Sequence, residues 1–240
     1  MPISRLFTDA PLALRQPVDL AEEQAHYRRQ VMRLKPGDRV ILFNGLGGEY
    51  PARIVAMDRR HARCEPESFD PVDRELACRI HIIQAANRSE KIETVLQKCT
   101  ELGAASFQAC VSERAAIRLE PGKREARLQR WQRIIVEAAE QSGRTAVPTV
   151  RWHDALAAVE PVGAAYALHP EGAAPWSELR GEMAAQRDIS LAVGPEGGWS
   201  DGDLARLSEL GFTPLRFGSR ILRTETAAPA LTAAVQALLD

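Results

Sequence analysis

Apolar residues along this chain alternate between two textures. They form short continuous runs, then stretches in which they return every three or four positions. The runs Arg79–Ala85, Phe107–Val111, Val147–Arg151, Ala164–His169, Leu191–Val193 and Thr213–Phe217 predict strands. The periodic stretches predict helices over Ser89–Leu102, Lys123–Ser142, Asp154–Val159, Trp176–Gln186 and Asp201–Leu210, with a last one running to Leu239. In the first of these, Ile92, Val95, Leu96, Cys99 and Leu102 fall on one face, and Gly103 stands at the stop position. In the long one, Leu128, Trp131, Ile135, Ala138 and Ser142 do the same before Gly143. The last helix should bury Leu231, Ala234, Val235 and Leu238, and it tolerates Pro229 if that residue lies in the first turn. Strand and helix alternating in this way predict a mainly parallel sheet covered on both faces, an α/β fold.

The first part of the chain has a different texture. Ile3–Phe7, Arg39–Phe43, Tyr50–Met57 and His61–Glu65 read as strands, and Glu22–Leu34 as a helix closed by Pro36-Gly37. The two central runs are joined through Asn44-Gly45-Leu46-Gly47-Gly48, a hairpin signal, and several short strands with polar turns suggest a small β-barrel. Pro66-Glu67-Ser68-Phe69-Asp70-Pro71 is the linker candidate, so the expected domains are 1–72 and 73–240.

Composition narrows the function classes. Hydrophobic residues at 45% and charged residues at 26% are globular values. No apolar run approaches the ~20 residues that span a bilayer, and Met1–Arg5 lacks a signal-peptide core, so a cytoplasmic protein with no membrane partner is expected. The four cysteines (Cys64, Cys78, Cys99, Cys110) are scattered and no His-Glu-x-x-His occurs, which predicts reduced, mostly buried thiols and no metal. A net charge of −1 leaves a nucleic-acid partner open, since local clusters such as Arg28–Arg33 and Arg59–Arg63 could face phosphates or simply be solvated.

Two loops carry the candidate chemistry. Leu191-Ala192-Val193-Gly194-Pro195-Glu196-Gly197-Gly198-Trp199-Ser200 turns from a strand into a glycine-rich loop, and Ser200 with Asp203 has capping-box spacing. Phe217-Gly218-Ser219-Arg220-Ile221-Leu222-Arg223-Thr224-Glu225-Thr226-Ala227 follows one strand–helix unit later. No Gly-x-Gly-x-x-Gly opens the α/β part, and no P-loop or Gly-x-Ser-x-Gly elbow exists. Backbone groups at Gly194–Gly198 and Gly218–Leu222 could instead bond an aromatic base and a ribose, with Ile221 and Leu222 as apolar walls.

These loops resemble the signature loops of the RsmE family, the 16S ribosomal RNA uridine-N3 methyltransferases of the SPOUT (α/β-knot) class. Further matches are Gln97–Gly103, Ser112-Glu113-Arg114, Glu137–Arg144 and Val147-Pro148, and, in the N-terminal part, His26, Val31–Asp38 and Leu42–Gly45. The resemblance covers nearly the whole chain. One departure is Ala85–Lys91, where the family commonly has a leucine-proline-lysine-glycine turn, although Lys91 matches a basic position.

The resemblance implies an N-terminal PUA-like β-barrel that helps hold RNA, a C-terminal domain with a deep trefoil knot, and a homodimer. It implies S-adenosyl-L-methionine as cofactor and 16S rRNA, within the small ribosomal subunit, as partner. The cofactor would be held by Leu168, His169, Val193, Gly194, Pro195, Glu196, Gly197, Gly198, Phe217, Gly218, Arg220, Ile221 and Leu222. Arg220 and Arg223 would orient the uridine or a phosphate, or else form a salt bridge to Glu225 or Glu101. Glu196 and Glu225 are candidates for a base or for a place near the sulfonium, while Glu196 could instead satisfy backbone donors ahead of the next helix. Arg5, Arg33, Lys91, Lys98, Arg114 and Arg144, with the Lys123–Arg133 stripe, are the candidate RNA contacts. The alternative is a non-catalytic RNA-binding adaptor that keeps the fold.

Overall fold

The computed structural model describes residues 3–20, 34–58, 61–171 and 174–239. The helix expected over Glu22–Leu34 lies outside the described residues except for Leu34, as do His26, Arg28, Arg29, Arg33, Arg59 and Arg60. The chain divides into two compact units, Met1–Glu75 with Ala139–Val147, and Leu76–Ala138 with Pro148–Asp240. The first unit thus includes a segment from far along the chain, which a linear reading of linkers cannot express.

The first unit is a five-stranded sheet of β1 (Ser4–Phe7), β2 (Val18–Leu20), β3 (Arg39–Phe43), β4 (Tyr50–Met57) and β5 (Ala62–Pro66). The strand order is β1-β3-β4-β5-β2. β3 and β4 pair antiparallel through the Asn-Gly loop, with Leu42 opposite Tyr50. Alternate residues point inward, so Leu6, Val40, Leu42, Ala52, Ile54, Ala62 and Cys64 form one core. A register shift between Ile54 and Ala56 bends β4. Among the described residues the ladder does not close, because the short strands β1 and β2 are its edges, and the expected barrel is a curled half-barrel.

The second unit is the predicted parallel α/β sheet. Its elements are β6 (Arg79–Ala85), α1 (Ser89–Glu101), β7 (Ala104–Cys110), α2 (Pro121–Ser142), whose last residues belong to the first unit, and β8 (Thr149–His153). A 3-10 turn at Leu156–Ala158 stands where a short helix was expected, followed by β9 (Ala164–Leu168) and the two-residue β10 (Ala174–Pro175). Then come α3 (Trp176–Ala184), β11 (Asp188–Val193), α4 (Asp201–Glu209), β12 (Thr213–Arg216) and α5 (Thr224–Leu239). The seven strands run β10-β12-β9-β11-β6-β7-β8, and all pairings are parallel. From β6 the chain steps outward to β7 and β8 and then crosses back. β11 is inserted between β9 and β6, so the winding reverses beside it. In an open parallel sheet, that reversal opens a crevice at the carboxyl ends of the strands.

The apolar stripes land as the period requires. Ile92, Val95, Leu96 and Cys99 of α1 are buried, as are Trp131, Ile135 and Ala138 of α2. In α5 the buried face is Ala227, Ala228, Leu231, Thr232 and Val235, while Ala234 and Leu238 are half-buried. Within that face the Thr232 hydroxyl donates to the Ala228 carbonyl at 2.8 Å and to the buried Cys99 sulfur at 3.6 Å. Because α5 starts at Thr224, Pro229 is beyond its first turn and leaves the Glu225 carbonyl without its usual i+4 donor. All four cysteines are free and buried, and burial pushes the Cys99 and Cys110 thiols up to about 12.

Candidate functional site

Each of the loops that follow β9, β11 and β12 begins at the carboxyl end of its strand. Together they wall an open cavity of about 680 Å³. Every residue named above as a cofactor contact lines it, from Leu168 and His169 through Val193–Gly198 to Phe217–Leu222. Lys91, Arg114, Trp199, Arg216, Arg223, Thr224 and Ala227 complete much of the wall.

The β11–α4 loop is braced at almost every residue. Gly198 N–H donates to the Pro195 carbonyl at 2.9 Å, closing the turn. Arg114 Nη1 donates to the carbonyls of Gly197 at 2.9 Å and Trp199 at 3.3 Å. The Trp199 indole N–H reaches the Leu168 carbonyl at 3.1 Å and so ties this loop to the end of β9. A Cβ on Gly194 would sit 3.2 Å from the Trp199 ring, a tight contact, so glycine lets the indole lie against the strand end without displacement. The loop ends in the predicted capping box: Asp203 N–H donates to Ser200 Oγ at 3.0 Å, and Ser200 N–H to Asp203 Oδ2 at 3.1 Å. Ser200→Ala should therefore lower stability by about 1 kcal/mol, measured by urea unfolding. An unchanged midpoint would show that the cap is not sustaining α4.

Behind the loop lies a buried polar hub absent from the sequence reading. Thr224 Oγ1 donates to the Gly194 carbonyl at 3.0 Å and accepts from Gln84 Nε2 at 2.9 Å and Asn87 Nδ2 at 3.0 Å. Asn87 Oδ1 in turn accepts from the Glu196 N–H at 3.3 Å. Three segments far apart in sequence thereby share one hydroxyl. The available signal was weak: polar Gln84 and Asn87 interrupt an otherwise apolar strand end.

The second loop is built the opposite way. From Gly218 to Leu222 no backbone or side-chain hydrogen bond is made among the described residues, and Gly218 has φ +73°. Its donors and acceptors remain free for a ligand, beside the apolar side chain of the half-buried Leu222. Ile221, expected as a second apolar wall, lines the cavity while remaining 86% exposed in the ligand-free chain. Arg220 is exposed and makes no ion pair among the described residues. Arg223 is also exposed, with Nη1 4.0 Å from Glu225 Oε1.

The acidic candidates share one cation. Lys91 Nζ is 3.0 Å from Glu196 Oε1 and 3.3 Å from Glu225 Oε2. Glu196 therefore does not cap α4, a role that Ser200 and Asp203 fill. The Glu225 carboxyl is held below the ordinary range by its own N–H at the helix start, against the opposing effect of burial and with help from Lys91. Lys91 is raised, chiefly by its bond to Glu196.

The other basic residues proposed as RNA contacts divide by burial. Arg5 and Arg144 are buried within the first unit. Arg5 pairs with Glu49 and donates to the Arg144 carbonyl at 2.8 Å, while Arg144 pairs with Glu75. Burial raises the Glu49 carboxyl, yet hydrogen bonds from Arg74 and Arg5 outweigh it and leave the group below its ordinary value. Both guanidinium groups are thus engaged by carboxylates of their own unit. Lys98 bonds Glu101 at 2.9 Å, and among the described residues neither Arg220 nor Arg223 pairs with Glu101. In the α2 stripe, Arg130 binds Glu93 and Arg124 binds Asp154. No cluster of three His, Cys, Asp or Glu suited to a metal ion occurs among the described residues.

Comparison with known proteins identifies the family. A family model described as an RNA methyltransferase domain matches residues 74–236, and one described as an RNA methyltransferase PUA domain matches residues 20–67. The ribosomal RNA small subunit methyltransferase E of Synechocystis is 32% identical over 93% of this chain and 74% of its own length. The chain belongs to the ribosomal RNA small subunit methyltransferase E family. Its Bacillus subtilis member is 28% identical over 85% of this chain and 84% of its own. Among solved structures, the family's Neisseria gonorrhoeae enzyme, bound to S-adenosyl methionine, superposes with TM-score 0.88 at 32% identity, covering 99% of this chain and 98% of that one. A protein from Legionella pneumophila, solved in complex with the same cofactor, gives TM-score 0.92 at 31% identity, with the same coverage. The mixed half-barrel and the parallel seven-stranded sheet are thus the PUA-like and SPOUT-type parts of that fold.

Proposed function

We propose that this chain transfers the methyl group of S-adenosylmethionine to N3 of a uridine in 16S rRNA. The observation that carries this reading is the cavity at the carboxyl ends of β9, β11 and β12, with one wall braced and the other left unbonded from Gly218 to Leu222. Its size suits a nucleoside cofactor. Backbone groups of both loops would hold it, the Trp199-braced turn at Gly194–Gly198 on one side and Gly218–Leu222 on the other. When bound, the cofactor supplies a methyl carbon activated by its sulfonium.

This chain's own residues do the rest. Arg220 and Arg223 point charge-assisted donors at the uracil oxygens, where negative charge develops. Glu196 or Glu225 offers a carboxylate to the N3 proton, which must leave for N3 to attack well. The same reading takes 1–72 as a PUA-like RNA-holding domain and 73–240 as the SPOUT methyltransferase domain. It includes the family's deep trefoil knot, a cytoplasmic homodimer, and rRNA within the small ribosomal subunit as substrate. Among the described residues no helix is long and apolar enough to cross a membrane.

The test is to map N3-methylated uridines in 16S rRNA from cells lacking this chain, before and after restoring it. Loss and recovery of one modified uridine is the expected result, and an unchanged pattern overturns the reading. Titration calorimetry with S-adenosylmethionine separates the adaptor alternative, which would give no heat of binding.

A further inference from the structure

One hydroxyl joins the two walls of the cavity. Thr224 is the first residue of α5, two positions after the unbonded loop ends at Leu222. Its Oγ1 donates to the Gly194 carbonyl at 3.0 Å and accepts from Gln84 Nε2 at 2.9 Å and Asn87 Nδ2 at 3.0 Å. None of these three bonds serves α5 itself. A hydroxyl has one proton to give and two lone pairs that receive, so its capacity is full. Thr224 lines the cavity yet has no hydrogen bond left for a ligand, so it acts there through the groups it holds.

Those groups include backbone atoms of the first loop. Among the described residues the Thr224 hydroxyl is the donor that reaches the Gly194 carbonyl. Asn87, held by the same hydroxyl, receives the Glu196 N–H at 3.3 Å. Gly194 and Glu196 flank Pro195, whose carbonyl closes the turn with the Gly198 N–H. We propose that Thr224 is a positioning residue of the cofactor site, with Asn87 as its relay. The pair sets the backbone of Gly194–Gly198 and ties to it the end of the loop that faces it across the cavity. This rests on the functional reading above and deepens it.

The two side-chain amides do not depend on this hydroxyl alone. Gln84 Nε2 also meets the carbonyls of Ala85 at 3.1 Å and Val193 at 3.3 Å, and Asn87 Nδ2 meets that of Ala85 at 2.9 Å. Removing the hydroxyl therefore strips chiefly the Gly194 carbonyl of its partner and loosens the hold on Asn87. The consequence falls on the loop, which carries the cavity wall, more than on the sheet beneath it.

The experiment compares the wild-type chain with Thr224→Val, which keeps the shape and drops the hydroxyl, Thr224→Ser, which keeps the hydroxyl, and Asn87→Ala. Expected for Thr224→Val is a dissociation constant for S-adenosylmethionine roughly 10-fold higher by calorimetry, the size of one lost hydrogen bond. In turnover the same factor should appear in KM for the cofactor, with kcat at saturation within about threefold of wild type. Thr224→Ser should bind within about twofold of wild type. A Thr224→Val chain that melts earlier yet binds the cofactor as wild type does makes the hydroxyl structural only and overturns the proposal. A loss that Thr224→Ser does not reverse overturns it too. If Thr224→Val does not fold, Asn87→Ala decides: releasing the Glu196 N–H should weaken cofactor binding by about threefold, and binding equal to wild type overturns the proposal. A second readout needs no cofactor: hydrogen exchange of the Glu196 and Gly198 amides in the ligand-free protein. Both should exchange faster in Thr224→Val than in wild type while the amides of β6 and β11 keep their rates, and an unchanged pattern overturns the proposal. A wild-type chain that gives no heat with S-adenosylmethionine would defeat the functional reading instead, and the exchange comparison separates the two failures.

Discussion

Arg220→Ala will lower kcat/KM for rRNA methylation by roughly 100-fold while leaving thermal stability unchanged. The magnitude is that of removing one charge-assisted donor aimed at charge that develops in the transition state, roughly 3 kcal/mol, with each 1.36 kcal/mol worth a factor of ten. The absence of a stability cost follows from the structure: Arg220 is exposed and makes no ion pair or hydrogen bond among the described residues. Truncating such a side chain should change folding by less than about 0.5 kcal/mol. Activity and stability are thereby separated in a single variant. Arg220→Lys should recover only part of the rate, because an ammonium keeps the charge but not the planar fork. Steady-state kinetics and a melting curve on the same preparation check it. Activity within threefold of wild type would remove Arg220 from the site.

Trp199→Ala will have the largest effect on folding. The indole is 5% exposed and packs in the core with Ile83, Ala167, Ala192, Leu207 and Phe212. Its N–H also satisfies the Leu168 carbonyl. Emptying such a position costs about 3–5 kcal/mol, a large fraction of the roughly 5–15 kcal/mol that stabilises a domain of ordinary size. The same ring lies against Gly194, so the variant should also lose S-adenosylmethionine binding by freeing the loop that forms one wall of the cavity. Trp199→Phe divides the two contributions. It keeps most of the packing, loses the hydrogen bond, and should cost about 1–2 kcal/mol with a smaller loss of cofactor affinity. Urea unfolding followed by calorimetry on the folded variant measures both. A Trp199→Ala loss below about 1 kcal/mol would show that the loop is held by Arg114 and Thr224 alone.

The cavity was legible in part before any coordinates. The glycines of Gly194–Gly198, the capping pair Ser200 and Asp203, and the second loop at Gly218 each follow from rules that act over a few residues. They appear in the structure where the pattern places them. What each charged residue does was not legible. Lys91, Arg5, Arg114 and Arg144 all read as candidate phosphate contacts, yet they have four different environments. Lys91 sits between two carboxylates, and Arg114 braces the carbonyls of Gly197 and Trp199. Arg5 and Arg144 are buried on Glu49 and Glu75. A charge on a sequence has no direction, and its partner here is usually dozens of residues away.

The sequence by itself determined most of the local structure: the longer strands and helices, the apolar faces of α1 and α2, where α4 is capped, and which two loops are rich in glycine. Period and turn chemistry are properties of neighbouring residues, so they survive without the rest of the molecule. The tertiary structure alone decided that β11 inserts between β9 and β6 and that residues 139–147 join the first unit. It alone brought Thr224 to Gln84 and Asn87, and Lys91 to Glu196 and Glu225. Those pairings cross more than a hundred positions of chain, and they exist because burying the apolar sheet faces brings distant segments together, after which each buried polar group must take the partner that geometry offers.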